Sequence, residues 1–142
     1  MSGTTDPTPP AVAAHLASIR CAQNGLKDEW LSLFADNATV HDPVGPSSHD
    51  PEGQGFHGRA ELVRFWDTMI AGGDLVIVSH RQISSGPMDC ACVVTATNRS
   101  ADLRSYVEMI VTYRVNASGK ITQLNAYWDQ DALIAQLQGP LL

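Results

Sequence analysis

The sequence predicts a single α+β domain with three principal helices on the concave face of a strongly curved, mostly antiparallel sheet. Helical periodicity fills the first half of the chain, whereas runs rich in β-branched and aromatic residues fill the second half. The predicted strands are about ten residues long, which exceeds the usual five to six and favours strong twist and curl. A curled sheet closed by helices forms a cone with an apolar interior, which is a pocket for a small molecule.

The chain has 142 residues, enough for one core but too few for two. Residues 1–10 are rich in Ser, Thr and Pro and are predicted to form a flexible arm, whereas residues 11–138 form the domain. The first helix is expected to follow Pro9 and Pro10, since the fixed φ of proline suits the first turn of a helix. The arm has neither a basic region nor an apolar run, so we do not expect a signal peptide.

Two further helices and one strand are predicted before residue 74. The second helix follows Gly25 and carries its apolar residues on one stripe, at Leu26, Trp30, Leu33 and Phe34. A short strand at 38–42 is expected to end before Pro43, because proline cannot continue a ladder. After a polar loop at 46–57, the third helix ends at Gly72 and Gly73. Its apolar residues have helical spacing, at Leu62, Phe65, Trp66, Met69 and Ile70.

The remaining chain is predicted to contain four strands and a short closing helix. The strands cover residues 75–84, 89–97, 105–115 and 120–128, and the helix covers 129–137. Asn-Ala-Ser-Gly at 116–119 is typical of a hairpin turn.

Composition and charge exclude several classes of protein. Nine Lys and Arg residues against fifteen Asp and Glu residues give a net charge of -6, without any cationic cluster, which argues against nucleic-acid binding. No stretch approaches the roughly 20 apolar residues that span a bilayer, so no membrane partner is predicted. Neither a dinucleotide-binding nor a Walker motif is present, and we predict no cofactor.

The cysteines and histidines favour structural roles over metal binding. The three cysteines are an odd number, and Cys90 and Cys92 lie two apart on one strand face, so we predict reduced thiols and a cytoplasmic protein. The group His41, Asp42, His49, Asp50 and His57 lies on a proline-rich loop, for which a solvated loop is the favoured interpretation over a metal site. His15 and His80 are isolated and are expected at the surface or half-buried.

Three segments carry a family resemblance. They are residues 33–45 with the sequence LFADNATVHDPVG, residues 58–66 with GRAEL followed by Phe65-Trp66, and residues 113–121 with YRVNASGKI. They resemble the ketosteroid isomerase branch of the nuclear transport factor 2-like, SnoaL-like superfamily. The Asp-Pro-Val-Gly segment is fairly specific, and the other two are general to the superfamily. The resemblance implies a cystatin-like conical α+β fold, a steroid-like apolar ligand and, frequently, a homodimer across the outer sheet face.

Asp42 is the predicted general base. On spacing alone, Asp42-Pro43 is typical of an Asx turn that ends a strand. The surrounding signature favours the catalytic interpretation, because it places the family base at Asp42. A carboxylate at the mouth of an apolar cone is poorly solvated, which raises its pKa and makes it a better proton acceptor near neutral pH. Ketosteroid isomerase is itself a standard example of such tuning.

The proton donors of the family do not match. The resemblance places Ser18 where the family has a tyrosine on the first helix, Val111 where it has a protonated aspartic acid, and Trp66 where it has a second tyrosine. Loss of one oxyanion donor typically costs about 2.7–4 kcal/mol of transition-state stabilisation. The resemblance therefore implies a slow isomerase with an atypical oxyanion hole.

Other side chains are predicted to line the pocket. Tyr113 shares strand parity with Val111, and it and Ser18 are possible substitute donors, although core packing is the favoured interpretation for both. Trp128 is expected to line the pocket, with direct ligand contact left open. The remaining apolar wall is predicted from the same parity to include Val107, Met109, Leu124 and Ala126.

Three functions remain open. The first is a ketosteroid isomerase-like enzyme that moves a proton on a steroid or similar polycyclic ketone. The second is epoxide hydrolysis or cyclisation on the same fold, which would need a second acid besides Asp42. The third is a non-catalytic binding protein for steroid-like ligands, favoured by loss of the donors. A homodimer is expected through the outward positions Tyr106, Glu108, Ile110, Thr112, Arg114, Asn125 and Tyr127.

Overall fold

A computed structural model describes residues 8–100 and 104–138. The predicted arm lies mostly outside the described residues, since residues 1–7 are not among them. Helix α1 (Pro10–Asn24) begins with a proline in its first turn and ends where Gly25 adopts a φ of 68°. Helix α2 (Lys27–Ser32) follows, then strand β1 (Phe34–His41), strand β2 (Phe56–His57) and helix α3 (Gly58–Phe65).

Helix α3 continues directly into a π-helical segment, Trp66–Ile70. Strands β3 (Leu75–Ser85), β4 (Asp89–Asn98), β5 (Ser105–Val115) and β6 (Ile121–Tyr127) make up most of the sheet. Helix α4 (Gln130–Gln138) closes the described chain. None of the helices within the described ranges is long and apolar enough to cross a membrane.

The strands form one six-stranded sheet in the order β2-β1-β6-β5-β4-β3. Every neighbouring pair is antiparallel except β1 and β6, which run parallel. Helix α1 packs across β3, β4 and β5, and α3 packs on β1 and β2. The predicted α+β class, with a curved and mostly antiparallel sheet and helices on one face, is confirmed.

Helix α4 covers a gap at the edge of β5. Strand β6 pairs with β5 only from Ile110 onward, so one edge of the first residues of β5 has no neighbouring strand. The Gln136 side chain fills this gap: its Oε1 accepts the Tyr106 N–H at 2.8 Å and its Nε2 donates to the Tyr106 carbonyl at 2.8 Å. These two hydrogen bonds hold the helix against the edge of β5.

Three sequence predictions about element bounds were wrong. Phe34 begins β1 and does not continue the second helix, because its backbone pairs with Ile121 of β6. Strand β1 therefore starts four residues before the predicted position. The two-residue strand β2 lies in the segment predicted as loop, and the third helix changes to π geometry at Trp66.

The loop between β1 and β2 is held by its own hydrogen bonds. The Asp50 carboxylate accepts the N–H groups of Gln54 at 3.0 Å and Gly55 at 2.8 Å. Gly55 has a φ of 79°, and a Cβ there would lie 2.5 Å from the His41 ring, so only glycine fits. This close approach holds the loop against the end of β1.

An aromatic cluster anchors the helices to β1. Trp30 is 1% exposed, and its ring centroid lies 4.4 Å from Phe34, 5.9 Å from Phe65 and 5.4 Å from Trp66. Burial of such large rings contributes strongly to the stability of a core. The cluster fixes the helix face that forms one wall of the interior.

Candidate active site

A cavity lies between helix α1, the end of α3 and the concave face of the sheet. Its volume is about 230 Å³. Most of the wall is apolar, and the polar side chains that reach it are His15, Ser18, Trp30, Asp42, Asn98, Ser105, Tyr113 and Trp128. A largely apolar cavity with a few convergent polar groups is typical of a site for an apolar small molecule.

Asp42 follows directly on the last residue of β1. His41 pairs with Asn125 of β6, and the Val44 N–H donates to the Ala126 carbonyl at 2.8 Å. These two contacts fix the backbone on both sides of Asp42 against β6. The side chain is half-buried and forms part of the cavity wall.

The Asp42 carboxyl has one side-chain hydrogen-bond partner among the described residues. The Trp128 Nε1–H donates to Asp42 Oδ1 at 2.5 Å. Burial raises the pKa of Asp42 to about 6, although the Trp128 hydrogen bond acts in the opposite direction by favouring the carboxylate. A carboxyl with this pKa is ionised at neutral pH and is well matched to general-base catalysis.

Three polar side chains meet at the wall formed by helix α1 and strand β5. The Trp30 Nε1–H donates to Ser18 Oγ at 3.2 Å. The Ser18 hydroxyl interacts with the Tyr113 phenol and lowers its pKa, but burial raises that pKa by more, so the phenol stays protonated at neutral pH. Tyr113 is 4% exposed and lines the cavity.

His15 is fully buried beside Tyr113, contrary to the prediction of a surface or half-buried residue. Its Nε2 lies 2.7 Å from Ser79 Oγ, and its ring packs edge-on against Tyr113 with centroids 5.0 Å apart. Burial lowers the pKa of His15 to about 4, so the imidazole is neutral at pH 7. Gln82 Nε2 also donates to Ser79 Oγ, at 2.7 Å.

The structure brings most of the predicted site residues together on the cavity wall. They are Asp42, Ser18, Val107, Met109, Val111, Tyr113, Leu124, Ala126 and Trp128. Trp66 is not among the residues that line the cavity and packs against Trp30, with ring centroids 5.4 Å apart.

Sequence reasoning missed several side chains of the cavity wall, and two of them contact Ser18 or Tyr113. His15 and Trp30 both line the cavity. The helical stripe of the sequence could have indicated that Trp30 faces inward, but its hydrogen bond to Ser18 depends on how α1 and α2 pack. Nothing local indicates that His15 is buried, because its partner Ser79 is 64 positions away.

The cysteine thiols are free, and the loop histidine His57 contacts a backbone carbonyl nearby in the sequence. Cys21, Cys90 and Cys92 are free and buried, and the Cys90 and Cys92 sulfurs lie 3.8 Å apart. His57 Nε2 lies 2.5 Å from the Gln54 carbonyl oxygen. In residues 8–100 and 104–138, no three His, Cys, Asp or Glu side chains form a group that could hold a metal ion.

Comparison with protein-family models matches residues 12–124 to the SnoaL-like domain. A search of curated proteins finds no match. Among solved structures, RV0760c from Mycobacterium tuberculosis is 34% identical, with 89% of this chain and 96% of that chain covered and a TM-score of 0.85. A structure of RV0760c in complex with estradiol-17β-hemisuccinate has a TM-score of 0.82, with 87% and 97% covered at 34% identity.

Two further structures are similarly close. A Δ5-3-ketosteroid isomerase from Mycobacterium sp. is 36% identical, with 88% of this chain and 97% of that chain covered and a TM-score of 0.82. A computationally designed 17-OHP binder is 34% identical, with 87% and 96% covered and a TM-score of 0.82. An LEH-like epoxide hydrolase from M. tuberculosis is 19% identical, with a TM-score of 0.74, and shares the fold alone.

The raised pKa of Asp42 predicts a pH-dependent stability. Because its folded pKa of about 6 exceeds the ordinary value of 3.8, the native state binds the proton more tightly, and Asp42 destabilises the fold as pH rises from about 4 to 6. Asp42→Asn should therefore raise the free energy of unfolding by about 3 kcal/mol above pH 6.

Urea unfolding of both proteins between pH 4 and pH 8 measures this difference. The side-chain amide of the Asp42→Asn variant can still accept the Trp128 N–H, so the contact is preserved and only the charge is removed. The difference between variant and wild type should shrink toward zero near pH 4, where Asp42 is protonated in the folded state and close to half-protonated in the unfolded state. A difference that stays constant across this range would contradict the shift.

Proposed function

The chain belongs to the SnoaL-like domain family, and we propose that it binds a steroid or similar polycyclic ketone and moves a proton between two of its carbon atoms. The observation that carries the proposal is the Asp42 carboxyl. It lies on the wall of an apolar cavity, is held by Trp128 at 2.5 Å, and has a pKa of about 6. The 36% identity to a Δ5-3-ketosteroid isomerase supports the same reaction class.

Asp42 acts as the general base in this proposal. The carboxylate takes a proton from a carbon next to the ketone; the electron pair of that C–H bond forms a C=C bond to the carbonyl carbon while the π pair of the carbonyl moves to its oxygen, which gives a dienolate. The protonated Asp42 then returns the proton to a carbon further along the conjugated system. The Trp128 bond occupies Oδ1 and leaves Oδ2 for the transfer.

The wall supports a rigid apolar ligand. Strand β5 contributes Val107, Met109 and Val111 from alternating positions, and β6 contributes Leu124 and Ala126. Such a wall binds ligands through the fit of their shape and through the apolar area that they bury. The related RV0760c was solved with estradiol-17β-hemisuccinate, which is consistent with a steroid-like ligand here.

A second candidate is a binding protein without turnover. Val111 offers no proton donor, and the Trp128 N–H is already bonded to Asp42. The similarity to a designed 17-OHP binder is compatible with binding alone. Epoxide hydrolysis is not proposed, because Asp42 is the only carboxylate among the described residues that line the cavity.

The proposal predicts that Asp42→Asn abolishes isomerisation of a Δ5-3-ketosteroid while leaving its affinity equal or higher. The amide keeps the shape of the carboxyl and removes a desolvated charge. Conversion to the conjugated ketone is followed by absorbance, and affinity is followed by calorimetry. Asp129→Asn, at an exposed position just past β6, is the matched control and should behave as wild type. Wild type that binds the steroid but never converts it would favour the binding protein.

The hydrogen bond from Trp128 predicts the pH profile. Since Asp42 must be ionised to accept a proton, kcat/KM should rise with pH and reach half of its maximum near pH 6. The Trp128 N–H lowers the Asp42 pKa, so Trp128→Phe should move this midpoint to higher pH. A midpoint that is unchanged or falls in the variant would argue against Asp42 as the titrating base.

We also propose a homodimer through the convex sheet face. Tyr106, Ile110 and Tyr127 are exposed there at 52%, 43% and 51%, and Arg114 pairs with Asp89 at 2.8 Å beside them. An apolar patch with a charged border is typical of a protein interface. Sedimentation at micromolar concentration should give twice the chain mass of 15.3 kDa, and Ile110→Glu should give the monomer. Monomeric wild type would contradict the proposal.

A further inference from the structure

Abstraction of a proton next to a ketone places negative charge on the ketone oxygen. In a water-poor cavity that charge needs a preorganised hydrogen-bond donor. Val111, at one of the two positions where the family resemblance implies donors, has no N–H or O–H in its side chain, so the other polar side chains of this wall are compared. The candidates are the N–H and O–H groups that line the cavity in the described residues.

Three of these side chains are already committed. The Trp128 N–H donates to Asp42, and the Trp30 N–H donates to Ser18. His15 Nε2 is bonded to Ser79, and its Nδ1 is buried out of reach of a ligand. Three hydroxyls and one amide remain, those of Ser18, Tyr113, Ser105 and Asn98.

Two of the remaining groups lie too far from the base. Asn98 and Ser105 pair with each other where β4 ends and β5 begins. Asp42 continues β1 past His41, which pairs with Asn125, so the register places Asp42 level with Ala126 and its partner Val111. Ser105 is six residues from Val111, which corresponds to about 20 Å along the strand. A ketone whose neighbouring carbon lies beside Asp42 therefore cannot place its oxygen next to Ser105 or Asn98.

Tyr113 lies on the same side of the cavity as the base. It is the next residue after Val111 on the inward face of β5. It pairs with Leu124, which in turn pairs with Val40 of β1. Both Tyr113 and Asp42 line this cavity. The edge-on contact with His15 holds the ring in place.

We propose that the Tyr113 O–H is the oxyanion donor of this site, and that Trp30 and Ser18 orient it through a directed chain of hydrogen bonds. The Trp30 N–H donates to Ser18 Oγ, the Ser18 O–H turns toward the Tyr113 oxygen, and the Tyr113 O–H is left for the ligand. Each donor in such a chain strengthens the next. This inference rests on the proposed function and adds a second catalytic residue to it.

The direction of donation, from Trp30 through Ser18 to Tyr113, sets the role of each group in the reaction. Asp42 takes the proton from carbon, the electron pair moves to the ketone oxygen, and Tyr113 shares its hydrogen with that oxygen without losing it. When Asp42 returns the proton to the second carbon, the oxygen reverts to a ketone and the hydrogen bond weakens. Ser18 touches Tyr113 and not the reacting atoms, so it is a positioning residue.

The test uses the full chain with Tyr113→Phe, Ser18→Ala and Tyr106→Phe. Tyr113→Phe should lower kcat for the Δ5-3-ketosteroid about 10²–10³-fold, the effect typical of removing an oxyanion donor. Ser18→Ala should lower it about tenfold, because the phenol remains but its oxygen loses a donor. Tyr106→Phe removes the same hydroxyl from a tyrosine on the convex sheet face, which does not line the cavity, and should leave kcat unchanged.

A second measurement reports the hydrogen bond without turnover. The ultraviolet band of a bound Δ4-3-ketosteroid, a conjugated enone, should move to longer wavelength than in an apolar solvent when a donor meets its oxygen. The shift should be present in wild type, Asp42→Asn and Tyr106→Phe, smaller in Ser18→Ala, and absent in Tyr113→Phe. A merely structural Tyr113 would leave the shift in place.

The outcomes separate the two proposals. If Tyr113→Phe keeps both its rate and the band shift, the donor assignment is overturned and Asp42 catalysis stands. If wild type shows the Tyr113-dependent shift but no turnover, the donor assignment stands and the isomerase function fails. If wild type binds the ketone without any shift, or does not bind it, the donor assignment is overturned.

Discussion

The hydrogen bond from Trp128 to Asp42 is the contact on which the site depends. A carboxylate facing an apolar cavity is costly, and a single indole N–H at 2.5 Å offsets part of that cost. The balance leaves the carboxyl with a pKa of about 6, ionised at neutral pH yet basic enough to take a proton. Because the two residues directly follow β1 and β6, the parallel pairing of those strands positions the chemistry.

The wall formed by Trp30, Ser18 and Tyr113 carries neutral polar groups instead of a charge. The Trp30 N–H donates to Ser18 and His15 Nε2 is bonded to Ser79, whereas His15 Nδ1 is buried without a partner among the described residues. Burial lowers the pKa of His15 to about 4 and keeps its ring neutral. Asp42 is therefore the only ionised group that the described cavity wall carries at neutral pH, and it polarises a ligand without a competing charge.

Sequence patterns predicted the parts of this molecule that depend on local order. Strand parity placed Val107, Met109 and Val111 on the cavity wall, because alternation along a strand needs no knowledge of the partner. The patterns failed where distant contacts decide. Phe34 fits a helical stripe, but its backbone pairs with Ile121 of β6 and begins a strand.

Burial raises the pKa of both groups assigned to catalysis, Asp42 and Tyr113. Each group therefore keeps its role, Asp42 as the base and Tyr113 as the hydrogen-bond donor. Desolvation disfavours the charged form of any acid, so it raises the pKa of Asp42 and also that of Tyr113. The order of the two acids is preserved: near pH 7 the carboxyl is ionised and accepts, whereas the phenol is protonated and donates. The Asp42 charge raises the Tyr113 pKa further and makes loss of the phenol proton harder. A base and a donor can therefore share one apolar cavity without exchanging protons with each other.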